Sequence, residues 1–215
     1  MRKLFLGTVA AIVVAGPASA ADLPVKAPSA PAPYVVSPWD GPYIGVNIGG
    51  GETDFRATAS DFFGTGEVSQ HANGVVGGVQ GGYRRQFGNF VFGSETDWSA
   101  TSIKGTTDGV TTELRWFGTV RATAGFLVTP AVLIYGTGGG AYGRAEVSVP
   151  GVSAKVPGVG WAAGAGLQYA FGSGWFIGAE YLHVDLDGPS VSSGGATFST
   201  HAITDLGRAR IDYKF

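Results

Sequence analysis

Residues 203 to 215 alternate apolar and polar side chains up to a terminal phenylalanine. One face carries Ile203, Gly207, Ala209, Ile211, Tyr213 and Phe215; the other carries Thr204, Leu206, Arg208, Arg210, Asp212 and Lys214. A strand places successive side chains on opposite faces. A soluble sandwich would bury the apolar face and leave the charges in water. A membrane barrel does the reverse, with apolar residues in lipid and charges in the lumen. The rest of the chain decides between them.

The first residues point to export. Arg2 and Lys3 precede an apolar run, Leu4 to Ala15, and a small-residue stretch, Ala18-Ser19-Ala20. This is the pattern of a secretory signal peptide over 1–20, cut after Ala20. The run is too short for a spanning helix, which needs about 20 residues. Cleavage would leave 12 basic and 16 acidic residues, a formal charge of −4. There is no basic excess of the kind that nucleic acid selects. Cysteine is absent, so an exported fold must hold without disulfides. Aromatics reach 12% and charged residues only 14%, which argues against disorder. No run after residue 20 resembles a transmembrane helix, so any crossing must use strands.

Residues 21–38 hold Pro24, Pro28, Pro31, Pro33 and Pro38 and read as an extended linker. A barrel-like texture begins at Trp39 and runs to Phe215. Eight segments read as strands: 40–51, 74–87, 90–101, 113–127, 132–146, 158–171, 175–186 and 202–215. Each is long enough for a tilted crossing of about 9–11 residues. Three connections are tight: Gly88-Asn89, Val128 to Ala131, and Gly172-Ser173-Gly174. The other four, 52–73, 102–112, 147–157 and 187–201, read as long loops. Strict alternation of short and long connections is the habit of outer-membrane barrels. The faces agree. Val159, Trp161, Leu167, Tyr169 and Phe171 share one face of segment six, opposite glycines, alanines and Gln168. Trp116, Val120 and Phe126 oppose Thr119 and Arg121; Phe90, Phe92 and Trp98 oppose Glu95 and Asp97; Trp175, Ile177 and Tyr181 oppose Glu180. The expected fold is all-β, an eight-stranded antiparallel transmembrane barrel of up-and-down order.

A barrel of eight strands has an interior that side chains can fill. The inward set contains Arg84, Arg121, Arg208 and Arg210 with Glu95, Asp97, Glu180 and Asp212, nearly balanced in charge. Buried charges persist when paired, and the arginine fork suits carboxylates. The expectation is a salt-bridged plug rather than an ion path, since conducting porins have more strands. Gly138 to Gly143 matches G-x-G-x-x-G, but it lies in a strand pattern and not between a strand and a helix. His71, His183 and His201 lack close ligand spacing. Asp185 and Asp187 near the outer end of segment seven could hold a divalent cation but read better as a solvated rim. A hydrolase site of His201, Asp205 and a loop serine has no supporting spacing. No catalytic residue, metal site or cofactor is expected.

Several motifs carry a resemblance. Ala21-Asp22-Leu23-Pro24, Trp39-Asp40-Gly41-Pro42-Tyr43-Ile44-Gly45, Thr137 to Gly143, Gly178-Ala179-Glu180-Tyr181 and Tyr213-Lys214-Phe215 resemble the small alphaproteobacterial outer-membrane proteins of the RopB type. The resemblance implies a porin-like, OmpA-related barrel in the outer membrane of a Gram-negative cell, among outer-membrane lipids and lipopolysaccharide. It implies that Tyr213 and Phe215 act as the signal for the barrel-assembly machinery. It further implies an abundant surface protein that supports envelope integrity. A narrow channel for ions or small solutes, and a surface binder of haemin or host ligands, are the rival roles. Any tether to peptidoglycan would use residues 21–38.

Overall fold

The computed structural model describes residues 37–61, 64–107, 110–149, 152–193 and 196–215; the expected signal and all but Ser37 and Pro38 of the expected linker lie outside them. The strands are β1 (Gly41–Asp61), β2 (Gly64–Phe87), β3 (Phe90–Thr107), β4 (Val110–Thr129), β5 (Val132–Val149), β6 (Val152–Phe171), β7 (Trp175–Asp187), β8 (Val191–Ser193) and β9 (Ala196–Lys214). All pairings are antiparallel, and long neighbours in sequence are neighbours in the sheet. β1 also pairs with β9, with Val46 opposite Ile211, so the sheet closes on itself. The short β8 folds back onto the start of β9. The eight-stranded up-and-down barrel expected from the sequence is the fold observed.

Alternation dictates which side each residue faces. Ile44, Val46 and Ile48 are exposed on β1 while Tyr43 and Asn47 are buried. Val79, Phe92, Val120, Ile134, Leu167, Ile177 and Ile211 continue the outward apolar belt around the wall. Such a continuous exposed surface is foreign to a soluble monomer and fits hydrocarbon. At one end the turns are tight. Phe87 pairs with Phe90 across Gly88-Asn89, and Gly88 takes a φ of +60°, in the left-handed region that glycine tolerates.

The other end departs from expectation. All four segments read as long loops are largely paired strand, the fourth through β8 and the first residues of β9. The β1–β2 ladder continues to Asp61 opposite Gly64, β3–β4 to Thr107 opposite Val110, and β5–β6 to Val149 opposite Val152. Their threonines and valines fit a pleated sheet, although their glycine, serine and aspartate content resembles loop. β1 spans 21 residues, whereas a crossing needs about 9–11. Roughly half of that strand therefore stands beyond the apolar belt.

Candidate functional site

The eight inward charges meet in one layer at mid-barrel. Cross-strand register brings Glu95 of β3 opposite Arg121 of β4, and Glu180 of β7 opposite Arg208 of β9. Arg121 is fully enclosed; its Nη2 donates to Glu95 Oε1 at 2.7 Å and Asp97 Oδ2 at 2.8 Å, and its Nη1 to Glu180 Oε1 at 3.1 Å. Arg208 donates through Nη2 to Glu180 Oε1 at 2.7 Å and lies 3.4 Å from Asp97. Arg210 bonds Glu180 Oε2 at 3.0 Å, Asp212 Oδ2 at 3.0 Å, and both oxygens of Glu95. The Tyr43 hydroxyl donates to Glu95 at 2.7 Å, and the Tyr135 hydroxyl donates to Glu180. Asp212 accepts amide bonds from Gln80 at 2.7 Å and Gln168 at 2.8 Å. Arg84 stands 3.6 Å from Asp212, its guanidinium 3.9 Å from the centre of the Tyr43 ring.

Glycines on facing strands make room for these long side chains. A Cβ at Gly139, opposite Arg121, would fall 2.7 Å from the Arg121 Cα; one at Gly45 would fall 2.0 Å from Asp212 Oδ1. The barrel wall at these two places tolerates only hydrogen. This explains Gly139 within the G-x-G-x-x-G match, which lies inside β5.

The charged layer lies between two apolar clusters that the alternation in the sequence does not reveal. Toward the hairpin tips Val76, Ile103, Leu114, Phe117, Leu182 and Leu206 form a buried cluster. Toward the tight turns Trp39, Val91, Leu127, Leu133, Tyr135 and Phe176 form another. Trp39 lies across the mouth of the barrel: its Nε1 donates to the Pro130 carbonyl at 3.0 Å and its ring packs on Phe176 at 4.8 Å. Lys214 Nζ reaches the Ser37 carbonyl at 2.8 Å and helps hold this segment in place.

The wall changes character along its height. On β7 Trp175, Ile177 and Tyr181 face outward with Glu180 inward, but beyond Tyr181 the order reverses. Leu182, Val184 and Leu186 are buried while His183, Asp185 and Asp187 face out. His183 Nδ1 lies 2.7 Å from Asp205, and His201 Nε2 lies 2.6 Å from Asp185. The ligand atoms of Asp185, Asp187 and His201 fall within 4.8 Å of one another. His71 pairs with Asp54 on the neighbouring wall. The three histidines thus take separate aspartates. The His201–Asp205 pairing considered for a hydrolase does not form, because both are engaged elsewhere.

A family model described as the outer membrane protein beta-barrel domain matches residues 8–204. The chain belongs to that outer-membrane barrel family. It is 36% identical over 211 residues to a 31 kDa outer-membrane immunogenic protein of Brucella melitensis, covering 86% of this chain and 88% of that protein. It is 31% identical to a 22 kDa outer membrane protein of Rhizobium leguminosarum bv. viciae, covering 75% of this chain and 71% of that protein. Its fold resembles the crystal structure of OprG from Pseudomonas aeruginosa with a TM-score of 0.52 at 11% identity, covering 84% of this chain and 99% of that chain. The protein therefore resides in the outer membrane.

For an outer-membrane barrel the reversal on β7 has a plain meaning. Below Tyr181 the outside is apolar and the inside holds the charged layer with the lower apolar cluster beneath it; above Tyr181 the outside is polar and the inside apolar, as water requires. Trp98, Trp116, Tyr142 and Trp161 stand along this upper edge on the other strands, opposite the lower aromatics Phe87, Phe90, Phe126, Phe171 and Trp175. These are the two girdles of a membrane barrel.

Proposed function

We propose that this outer-membrane barrel is a sealed, non-enzymatic structural element that supports envelope integrity and displays rigid β-hairpins at the cell surface. The observation that carries this reading is the interior: a charge-balanced ion-pair layer held between two apolar layers. A conducting pore needs a continuous wet path, and the two clusters set mostly apolar side chains across it. The immunogenic label of the Brucella relative supports the surface display of the hairpins. In planar bilayers the folded protein is expected to give no discrete conductance steps. Steps whose size changes in Arg121→Gln or Glu180→Gln would replace this reading with the narrow channel.

The assembly role of Tyr213 and Phe215 belongs to the same proposal. Tyr213 packs against Trp175 at 4.9 Å and Phe215 at 5.5 Å, while Phe215 itself is 72% exposed. An exposed terminal ring at the tight-turn end contributes little packing and is accessible to assembly factors. Deleting Phe215 is therefore expected to leave refolding in detergent intact, read as heat-modifiable gel mobility. The same deletion is expected to cut the folded yield in cells severalfold. Equal yield in cells would remove the assembly role.

A further inference from the structure

The outer wall just above the upper aromatic girdle is electrically divided. On β3 to β6 its outward charges are Lys104, Arg115, Arg144 and Lys155 against Glu113 and Glu146. On β7, β9 and β1 they are Asp185, Asp187, Asp205, Glu52 and Asp54 against Arg56. One half of the wall is cationic and the other anionic at the same height.

The cationic half is also built by a local departure from regular sheet. Strict alternation would put Glu113, Arg115 and Phe117 on one face, and Leu114 with Trp116 on the other. The β4–β5 register slips between Leu114 and Trp116, and the β3–β4 register slips between Ala100 and Ile103. Leu114 and Phe117 both turn inward, and Arg115 and Trp116 both turn outward. A bulge re-aims side chains in this way. Arg115 is held by Glu146 at 3.0 Å and Glu113 at 3.5 Å, yet its side chain remains 51% exposed. Arg144, paired with Trp116 across the strands, sets its guanidinium 5.9 Å from the Trp116 ring, and Tyr142 meets that ring edge-on at 6.0 Å. Two arginines thus stand directly above two interfacial aromatics, facing sideways into the leaflet.

We propose that this Arg115–Trp116–Tyr142–Arg144 surface docks the phosphate groups of the outer leaflet's phosphorylated glycolipid. The aromatics sit at headgroup depth, and the guanidinium forks suit phosphate oxygens. The anionic half at the same height would repel such groups unless a cation intervened, so lipid association is one-sided. The proposal rests on the reading that the hairpin end faces the cell exterior.

The test is lipid retention by the detergent-purified full-length protein, read by native mass spectrometry after incubation with phosphorylated or enzymatically dephosphorylated glycolipid. Wild type is expected to retain the phosphorylated form about tenfold better. Arg115→Gln/Arg144→Gln is expected to lose that preference, whereas Asp185→Asn/Asp187→Asn keeps it. Lys104→Gln/Lys155→Gln serves as a second variant outside the bulge and is expected to weaken retention by a smaller factor. Equal retention of the two glycolipids by wild type, or an undiminished preference in the double-arginine variant with heat-modifiable mobility intact, would overturn the proposal. Orientation is read separately: the chain has no cysteine, so Lys155→Cys on intact cells reports by maleimide labelling which side the wall faces.

Discussion

Glu180→Leu is expected to destabilise the barrel by about 3–5 kcal/mol, the cost of breaking a buried ion pair from one side. Glu180 has no solvent access and accepts from Arg121, Arg208, Arg210 and Tyr135. Removing it leaves three enclosed guanidiniums facing only Glu95, Asp97 and Asp212. All three guanidiniums are buried between the two apolar clusters. Adding Arg208→Met should recover part of the loss, because Arg208 is the direct cross-strand partner of Glu180 and the pair is then removed together. A coupling of about 1–3 kcal/mol is expected from the double-mutant cycle. Urea unfolding in detergent micelles, followed by tryptophan fluorescence and heat-modifiable mobility, measures all three variants. Strictly additive effects would mean that the layer does not act as a network.

The legible part of this molecule was whatever a strict period of two exposes. Phe90, Phe92 and Trp98 against Glu95 and Asp97 show their faces in the sequence because lipid and lumen demand opposite polarity at every step. Gly88-Asn89 and Gly172-Ser173-Gly174 show their turns because only glycine takes the left-handed backbone there cheaply. The eight inward charges could be chosen from the sequence for the same reason, and the structure brings all of them within one layer. Their partners could not be chosen, since Arg210 reaches Glu95 across the barrel rather than along the chain.

Three features were hidden for physical reasons. Leu182, Val184 and Leu186 alternate as well as Ile177 and Tyr181 do, but with the sign reversed, and a period alone does not say where lipid ends. The apolar layer above the charges was therefore invisible, and Asp185 and Asp187 looked like the end of a strand rather than its continuation into water. Trp39 was visible as part of a motif. Its role as a cap depends on the Pro130 carbonyl, which lies 91 residues further along the chain. The bulge at Arg115 was masked in the same way, because Glu113-Leu114-Arg115-Trp116-Phe117 reads as regular alternation until the cross-strand register is known.

The polarity reversal fixes a membrane boundary, and β6 allows that boundary to be measured with one substituent on one face. Leu167 and Val159 both face outward and are 47% and 69% exposed. Leu167 lies between the girdle residues Phe171 and Trp161, opposite Ile134 and Ala179 on its neighbours. Val159 lies past Trp161, where the outward positions of the neighbouring strand include Asp185 and Asp187. In water the two sites would accept arginine equally. In a bilayer Leu167→Arg is expected to cost about 2–4 kcal/mol and Val159→Arg about 0–1 kcal/mol, the difference between the midplane and the interface. Reversible unfolding in lipid vesicles gives both values directly. The contrast should shrink in detergent micelles, which deform around a charge more readily than a bilayer. Equal costs in vesicles would place Val159 within hydrocarbon and move the boundary toward the hairpin tips. The outward charges Asp185, Asp187 and Arg144 would then lie nearer the lipid than the aromatic girdle implies.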